Sequence, residues 1–217
     1  MITNLFSVFD PCTGTLSLNW LRTMIFIFIM PYKYWLIPNK INLSFIILMK
    51  TLKNEISILM PYKGTTLIML TLFVYILINN LIGLLPYVFT SSSHLIFSLG
   101  LALPLWLSFI IYGWVNKYNS IFSHLVPTGT PPVLMPFIVI IETVRNIIRP
   151  GSLSVRLTAN IIAGHLLMSL LGNNTSRLII ITTTMIIYLG LIIFELAVAI
   201  IQSYVFITLS TLYSREI

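Results

Sequence analysis

Charge is what this sequence has least of. Of 217 residues only five are acidic and twelve are lysine or arginine, so charged side chains make up 8% of the chain against 58% hydrophobic ones. Mean hydropathy is +1.00. Cysteine is nearly absent, and a lone Cys12 permits no internal disulfide and reads as an inert thiol. The three histidines, His94, His124 and His165, show no spacing that would assemble a metal site. No phosphate-binding loop, nucleophile triad or nucleic-acid motif occurs, and no internal repeat. Runs of about ten alternating residues, the signature of a membrane barrel, are missing too. The N-terminus lacks a basic stretch and a small-residue cleavage site, so no removable signal or transit peptide is expected.

Several apolar segments are instead long enough to cross a hydrocarbon core of about 30 Å. In lipid every backbone N–H and C=O must be paired internally, which leaves helices as the spanning elements and makes the fold class all-α, in a single membrane domain. A net charge of +7 might suggest nucleic acid, but Lys33, Lys40, Lys50, Lys53 and Lys63 all flank membrane segments. Positive-inside bias accounts for them better.

In chain order, residues 1–17 are polar and turn-rich, and a short first span covers 18–31 up to Pro31. Residues 38–60 mix lysines with apolar residues at helical spacing (Ile41, Phe45, Leu48, Leu52, Ile56, Leu59), the pattern of an amphipathic helix lying on the membrane surface. Strong spans follow at 65–89, carrying Asn79 and Asn80, and at 95–115, with Pro104 as a kink. The two amides could mark a pathway, but helix-packing polar groups with satisfied hydrogen bonds is the commoner meaning. His94 and His124 fall in loops, the second in a long connector from Asn116 to Pro132. Two runs of nearly forty residues, 133–171 and 177–214, are joined by Gly172-Asn173-Asn174-Thr175-Ser176. At 1.5 Å per residue each is close to twice the hydrocarbon thickness, so the pair must form a strongly tilted hairpin, with a bend expected at Pro150-Gly151. About five membrane-embedded helices and one surface helix result, with the N-terminus opposite the lysine side.

The polar residues of this hairpin are its oddest feature. An ionisable side chain at membrane depth costs a few kcal/mol on insertion scales and is functional by default. At about 100° per residue, Arg145, Arg149, Arg156 and Asn160 share one quadrant with Glu142 at its edge. Arg145 and Arg149 read as side chains snorkelling to the head groups. Ala159 and Ala163 join Arg156 as a small-xxx-small face that a second helix could approach closely. His165 points roughly the other way. On the second run Tyr188, Glu195 and Gln202 recur every seven residues beside Ala199. A turn near Asn174 would set Arg156 opposite Ile192, about one helical turn from Glu195. Titratable groups on both sides of a fixed guanidinium, which neither releases its proton nor lets another pass readily, suggest two half-pathways split by a positive barrier. A secondary transporter would also carry charge at mid-depth, but usually with inverted repeats. A structural anchor explains neither Arg156 nor Glu195.

Arg156-Leu-Thr-Ala-Asn160 followed by Ala163-Gly164-His165-Leu166-Leu167 resembles the signature of subunit a of the mitochondrial F-type ATP synthase. So do Asn4-Leu5-Phe6 to Phe9-Asp10-Pro11, Asn80-Leu81-Ile82-Gly83-Leu84-Leu85-Pro86-Tyr87, Pro127 to Phe137, Ile148-Arg149-Pro150-Gly151 and Gln202 to Tyr213, which resemble animal members along nearly the whole chain. The resemblance implies a non-catalytic, proton-conducting stator subunit without cofactor or metal, in the mitochondrial inner membrane, with its N-terminus toward the intermembrane space and its C-terminus toward the matrix. It implies that Arg156 faces a rotor ring of c subunits, that His165, Glu195 and Gln202 belong to the proton-uptake region, and that Glu142 belongs to the matrix-side exit. Ala159, Ala163 and Ala199 would be the small residues against the rotor, with Asn160 on the translocation path. Partners would be the c ring, other membrane-sector and peripheral-stalk subunits and membrane lipid, with no nucleic acid.

Overall fold

The computed structural model describes residues 9–12, 18–29, 37–60, 63–85, 88–126, 131–173 and 178–216. Among them the regular structure is helical: a 3-10 turn Leu18–Met24 running into α1 (Ile25–Ile29), then α2 (Lys40–Leu59), α3 (Lys63–Gly83), a 3-10 turn Ser91–Ser93, α4 (Leu95–Leu125), α5 (Met135–Asn173) and α6 (Leu178–Glu216). Four helices, α3 to α6, are long and apolar enough to cross a membrane. This all-α architecture is what an apolar solvent demands, since a helix pairs its backbone within itself.

The helices pack through small and hydroxyl-bearing residues. α4 lies along α5, α3 along α6, and α5 against α6. Their shared core holds Met69, Phe73 and Ile76 of α3, Ala102 of α4, Leu153 and Leu157 of α5, and Phe206 and Ile207 of α6. Ser98, Ser154, Thr158, Ser203, Ser210 and Thr211 are also buried there. Each of these hydroxyls donates to a carbonyl three residues back on its own helix, as Ser203 does to Ile200 at 2.7 Å and Ser154 to Gly151 at 2.8 Å. None of these hydroxyls is stranded, and the small side chains let the backbones approach, which is how helices associate where burial gains nothing over lipid. Large apolar side chains face outward instead, among them Val115, Ile186, Ile193 and Phe194. A water-soluble monomer would not show so continuous an apolar surface, whereas lipid covers it at no cost.

α2 docks through Phe45, Met49, Leu52 and Ile56 onto the core, while Ile41 and Leu48 are exposed. The buried stripe is therefore turned from the one the spacing suggested. The Tyr204 hydroxyl of α6 donates to Glu55 Oε2 at 3.2 Å and ties the charged helix to the bundle.

Several expectations are corrected. The described part of the first apolar run is a seven-residue 3-10 turn and five α-helical residues, roughly 21 Å by its rise per residue, so it is embedded against the bundle without matching the hydrocarbon thickness. In α4 the backbone leaves helical values at Lys117 (φ −138°, ψ 38°) and not at Pro104. Beyond that break the helix continues to Leu125, so His124 is helical and the connector shorter than its polar composition suggested. At Pro150-Gly151, by contrast, no new span begins, as expected: α5 runs through Pro150 as one 39-residue helix.

Candidate functional site

α5 is two-faced. Leu153, Ser154, Leu157, Thr158, Ile161, Gly164 and Met168 are buried, at steps of three and four that follow one side of the helix. On the opposite side Ser152, Arg156, Ala159, Ala163 and Leu167 form an exposed stripe. Arg156 has no ion-pair partner among the described residues. Asn160 is half-buried at the border of the two faces. The stripe is thus a guanidinium followed by two turns of small side chains, a surface suited to close approach by another helix.

Ala199 does not share it. Expected beside Ala159 and Ala163, it is 1% exposed and lies inside the bundle. α6 is apolar apart from a thin polar stripe, so its sequence offers little contrast by which to tell an inner from an outer face.

Glu195 on α6 is buried, and neither of its carboxylate oxygens has a hydrogen-bond partner among the described residues. It lies flat against Gly164, where an added Cβ would overlap the carboxylate and come within 2.6 Å of Cδ. A side chain at Gly164 would therefore displace the acid, and Gly164 is the residue next to His165. His165 is half-buried, its Nε2 is buried without a partner, and its neighbours are the Gly83 backbone, Arg22 and the edge of Phe9, whose ring centroid is 6.2 Å away at 88°.

This pairing revises the hairpin register. With Gly164 level with Glu195, Arg156 lies level with about Ser203 rather than Ile192. Eight residues of helix then separate Arg156 from the level of Glu195, about 12 Å along the axis instead of one turn. Gln202, half-buried, falls at the depth of Arg156. The uncompensated acid and histidine stand together at one level, and the guanidinium two turns away.

Glu142 lies fourteen residues before Arg156, about 21 Å along α5. Arg145 donates to its Oε1, an exposed i,i+3 ion pair. Arg149 stacks its guanidinium over the Tyr213 ring near the C-terminal end of α6, 4.9 Å from the centroid. Two residues with a part in this geometry carried no role in the sequence reading. Gly164 is recognised only once α6 is in place. Arg22, which donates Nη2 to the Ile82 carbonyl at 2.6 Å, had the same signal as Arg156, a cation inside an apolar run.

Fold and site together define a polytopic helical membrane protein whose polar groups are held at separate depths, with Arg156 on an outward face. The profile described as ATP synthase A chain matches residues 15–215. Proteins named ATP synthase subunit a are similar over their whole length: that of Anopheles gambiae is 54% identical over 225 residues, covering 100% of both chains. Those of Aedes aegypti and Drosophila melanogaster are 54% and 52% identical, again over 100% of both chains. The chain belongs to the ATP synthase A chain family and is a membrane-sector subunit of an F-type ATP synthase.

Proposed function

We propose that this chain conducts protons to and from the carboxylates of a rotating ring of c subunits, through two offset half-pathways separated by Arg156. The ring, the other membrane-sector and stalk subunits, and lipid are its partners in the mitochondrial inner membrane, with the N-terminus on the intermembrane side. The observation that carries the reading is the split of α5: Arg156, Ala159 and Ala163 exposed on one stripe, and Gly164, the residue before His165, turned inward against Glu195.

A proton arriving from the intermembrane side passes His165 and Glu195, with Gln202 deeper on the same helix, and reaches a ring carboxylate. Protonated, that carboxyl is neutral and crosses lipid; ionised, it would need several kcal/mol more. After most of a turn it meets the other half-pathway and releases its proton toward Glu142 and the matrix. Arg156 favours the ionised ring carboxylate beside it and cannot itself give up a proton, so it blocks direct passage between the halves. The exposed stripe gives the guanidinium room to meet that carboxylate, and Asn160 borders the same stripe. Each proton crossing 100 mV releases about 2.3 kcal/mol, so several must pass per nucleotide made elsewhere in the complex.

The test is Arg156→Ala in the complete complex in sealed vesicles. Proton-driven ATP synthesis is expected to fall to background while the complex still assembles; synthesis near the normal rate would refute the barrier role.

A further inference from the structure

The half of α5 that carries Glu142 is held differently from the half that carries Arg156. None of residues 135–149 is buried, and the best covered of them, Ile138, Val139, Glu142, Asn146 and Arg149, are half-buried. From Pro150 on the helix sinks into the bundle: Pro150, Leu153, Ser154, Leu157, Thr158 and Ile161 are buried in turn. The change falls where the backbone is weakest. Proline has no N–H to give the carbonyl of Asn146, four residues back, and Gly151 beside it carries no side chain to brace the helix. A Cβ there would meet nothing within 4 Å. Kinks in long helices arise at such positions, so the arm before Pro150 can swing unless something ties it.

One contact lies at its root. Arg149, the last residue of the arm, sets its guanidinium over the Tyr213 ring, which is half-buried near the C-terminal end of α6. The antiparallel register fixed by Gly164 against Glu195 puts Arg149 level with about Ser210, so the two long side chains meet across roughly one helical turn. Glu142 is two turns before Arg149 and on the same side of the helix. The tie and the exit acid thus lie on one line, and Arg145, paired with Glu142 inside the arm, moves with it. Glu142 stands eight residues from Pro150, about 12 Å, so a swing of about 5° displaces it by about 1 Å. A displacement of that size at a reacting group can cost about a hundredfold in rate.

We propose that the Arg149–Tyr213 stack is a positioning device of the exit half-pathway: it fixes the angle at which the arm of α5 leaves the bundle, and so where Glu142 stands against the ring. The inference rests on Glu142 being the exit group. An aromatic face holds a guanidinium through its quadrupole and needs no hydroxyl for it, so phenylalanine at 213 keeps the tie and leucine loses it.

The test uses the assembled complex in sealed vesicles. Under an imposed proton gradient, ATP synthesis per assembled complex is expected to fall roughly tenfold or more in Tyr213→Leu and in Arg149→Gln, and to stay within about twofold of the parent in Tyr213→Phe. Tyr213→Leu combined with Arg149→Gln should be no slower than the slower single variant, because the pair acts as a unit, and Tyr213→Leu should cost nothing further in Glu142→Gln. The angle of the arm is read separately, by spin labels at Ile141→Cys and Ile201→Cys in purified complex with Cys12→Ser; both isoleucines are exposed. The distribution of label distances should broaden in Tyr213→Leu and match the parent in Tyr213→Phe. If Tyr213→Leu does not assemble, Arg149→Gln reads both quantities. An unbroadened distribution in Arg149→Gln would overturn the tie, and a broadened one with parental synthesis would overturn its part in placing Glu142. Tyr213→Phe as slow as Tyr213→Leu would show that the ring face does not hold the arm. Labels that respond while Glu142→Gln synthesises at the parental rate would refute the exit assignment of Glu142 and leave the tie standing.

Discussion

Gly164→Ala is the sharpest test of the contact between α5 and α6. An added Cβ would lie 2.6 Å from Cδ and 3.1 Å from Cγ of Glu195. Carbon pairs settle at about 3.5–4.0 Å, so the acid must withdraw by roughly 1 Å. It can do so, because the obstacle is the end of a flexible side chain. Driving it off its rotamer costs about 0.5–1.5 kcal/mol, and alanine in a helix returns about 1 kcal/mol relative to glycine. Folding and assembly should therefore change little. Function should not be spared, since a misplacement of about 1 Å at a reacting group can cost about a hundredfold. The assay is passive and ATP-driven proton flux in reconstituted vesicles, normalised to the amount of assembled complex. A fall of tenfold or more is expected, and flux within twofold of the parent protein would refute the steric reasoning. Gly164→Ala combined with Glu195→Asp restores room by removing one methylene. It should recover part of the flux lost in the single variant, which a general defect in helix packing would not allow.

Other outcomes follow from the same geometry. Glu195→Gln should slow proton uptake from the intermembrane side by tenfold or more without lowering the amount of assembled complex, measured as initial flux under an imposed gradient. Glu142→Gln should leave uptake intact and slow release, seen as a changed dependence of synthesis on matrix pH; a dependence identical to the parent's would remove Glu142 from the path. Ser203→Leu places a large side chain where the parent residue is 0% exposed, and it should destabilise the α3 and α6 packing by about 1–3 kcal/mol, read as a lower unfolding temperature of the purified complex.

The polar stripe of α5 was legible because a helix converts spacing into direction. Arg156, Ala159 and Ala163 fall on one side by the 100° rule, and they are exposed together. Ala199 was not legible, because α6 is apolar apart from one thin polar stripe and the same rule does not say whether that stripe faces the bundle or its outside. Asn79 and Asn80 are adjacent and chemically identical, yet one bonds to its own helix and the other to nothing among the described residues. Only the neighbours that surround each amide decide that. Arg149 likewise lies over the ring of Tyr213 on another helix, a contact that spacing within α5 does not announce.

Solvent and periodicity were thus settled along the chain. An 8% charge content and long apolar runs dictate helices in a membrane, since each backbone group must find its partner within a few residues. Rotation about a single helix axis follows from the same local bonds. Register between helices does not, because it depends on which side chains fit against which over tens of residues. The closeness of Glu195 to Gly164 set it, moving Arg156 about 12 Å from the level of the acid. That distance separates a closed ion pair from two groups held at distinct levels, and tertiary packing alone determines it.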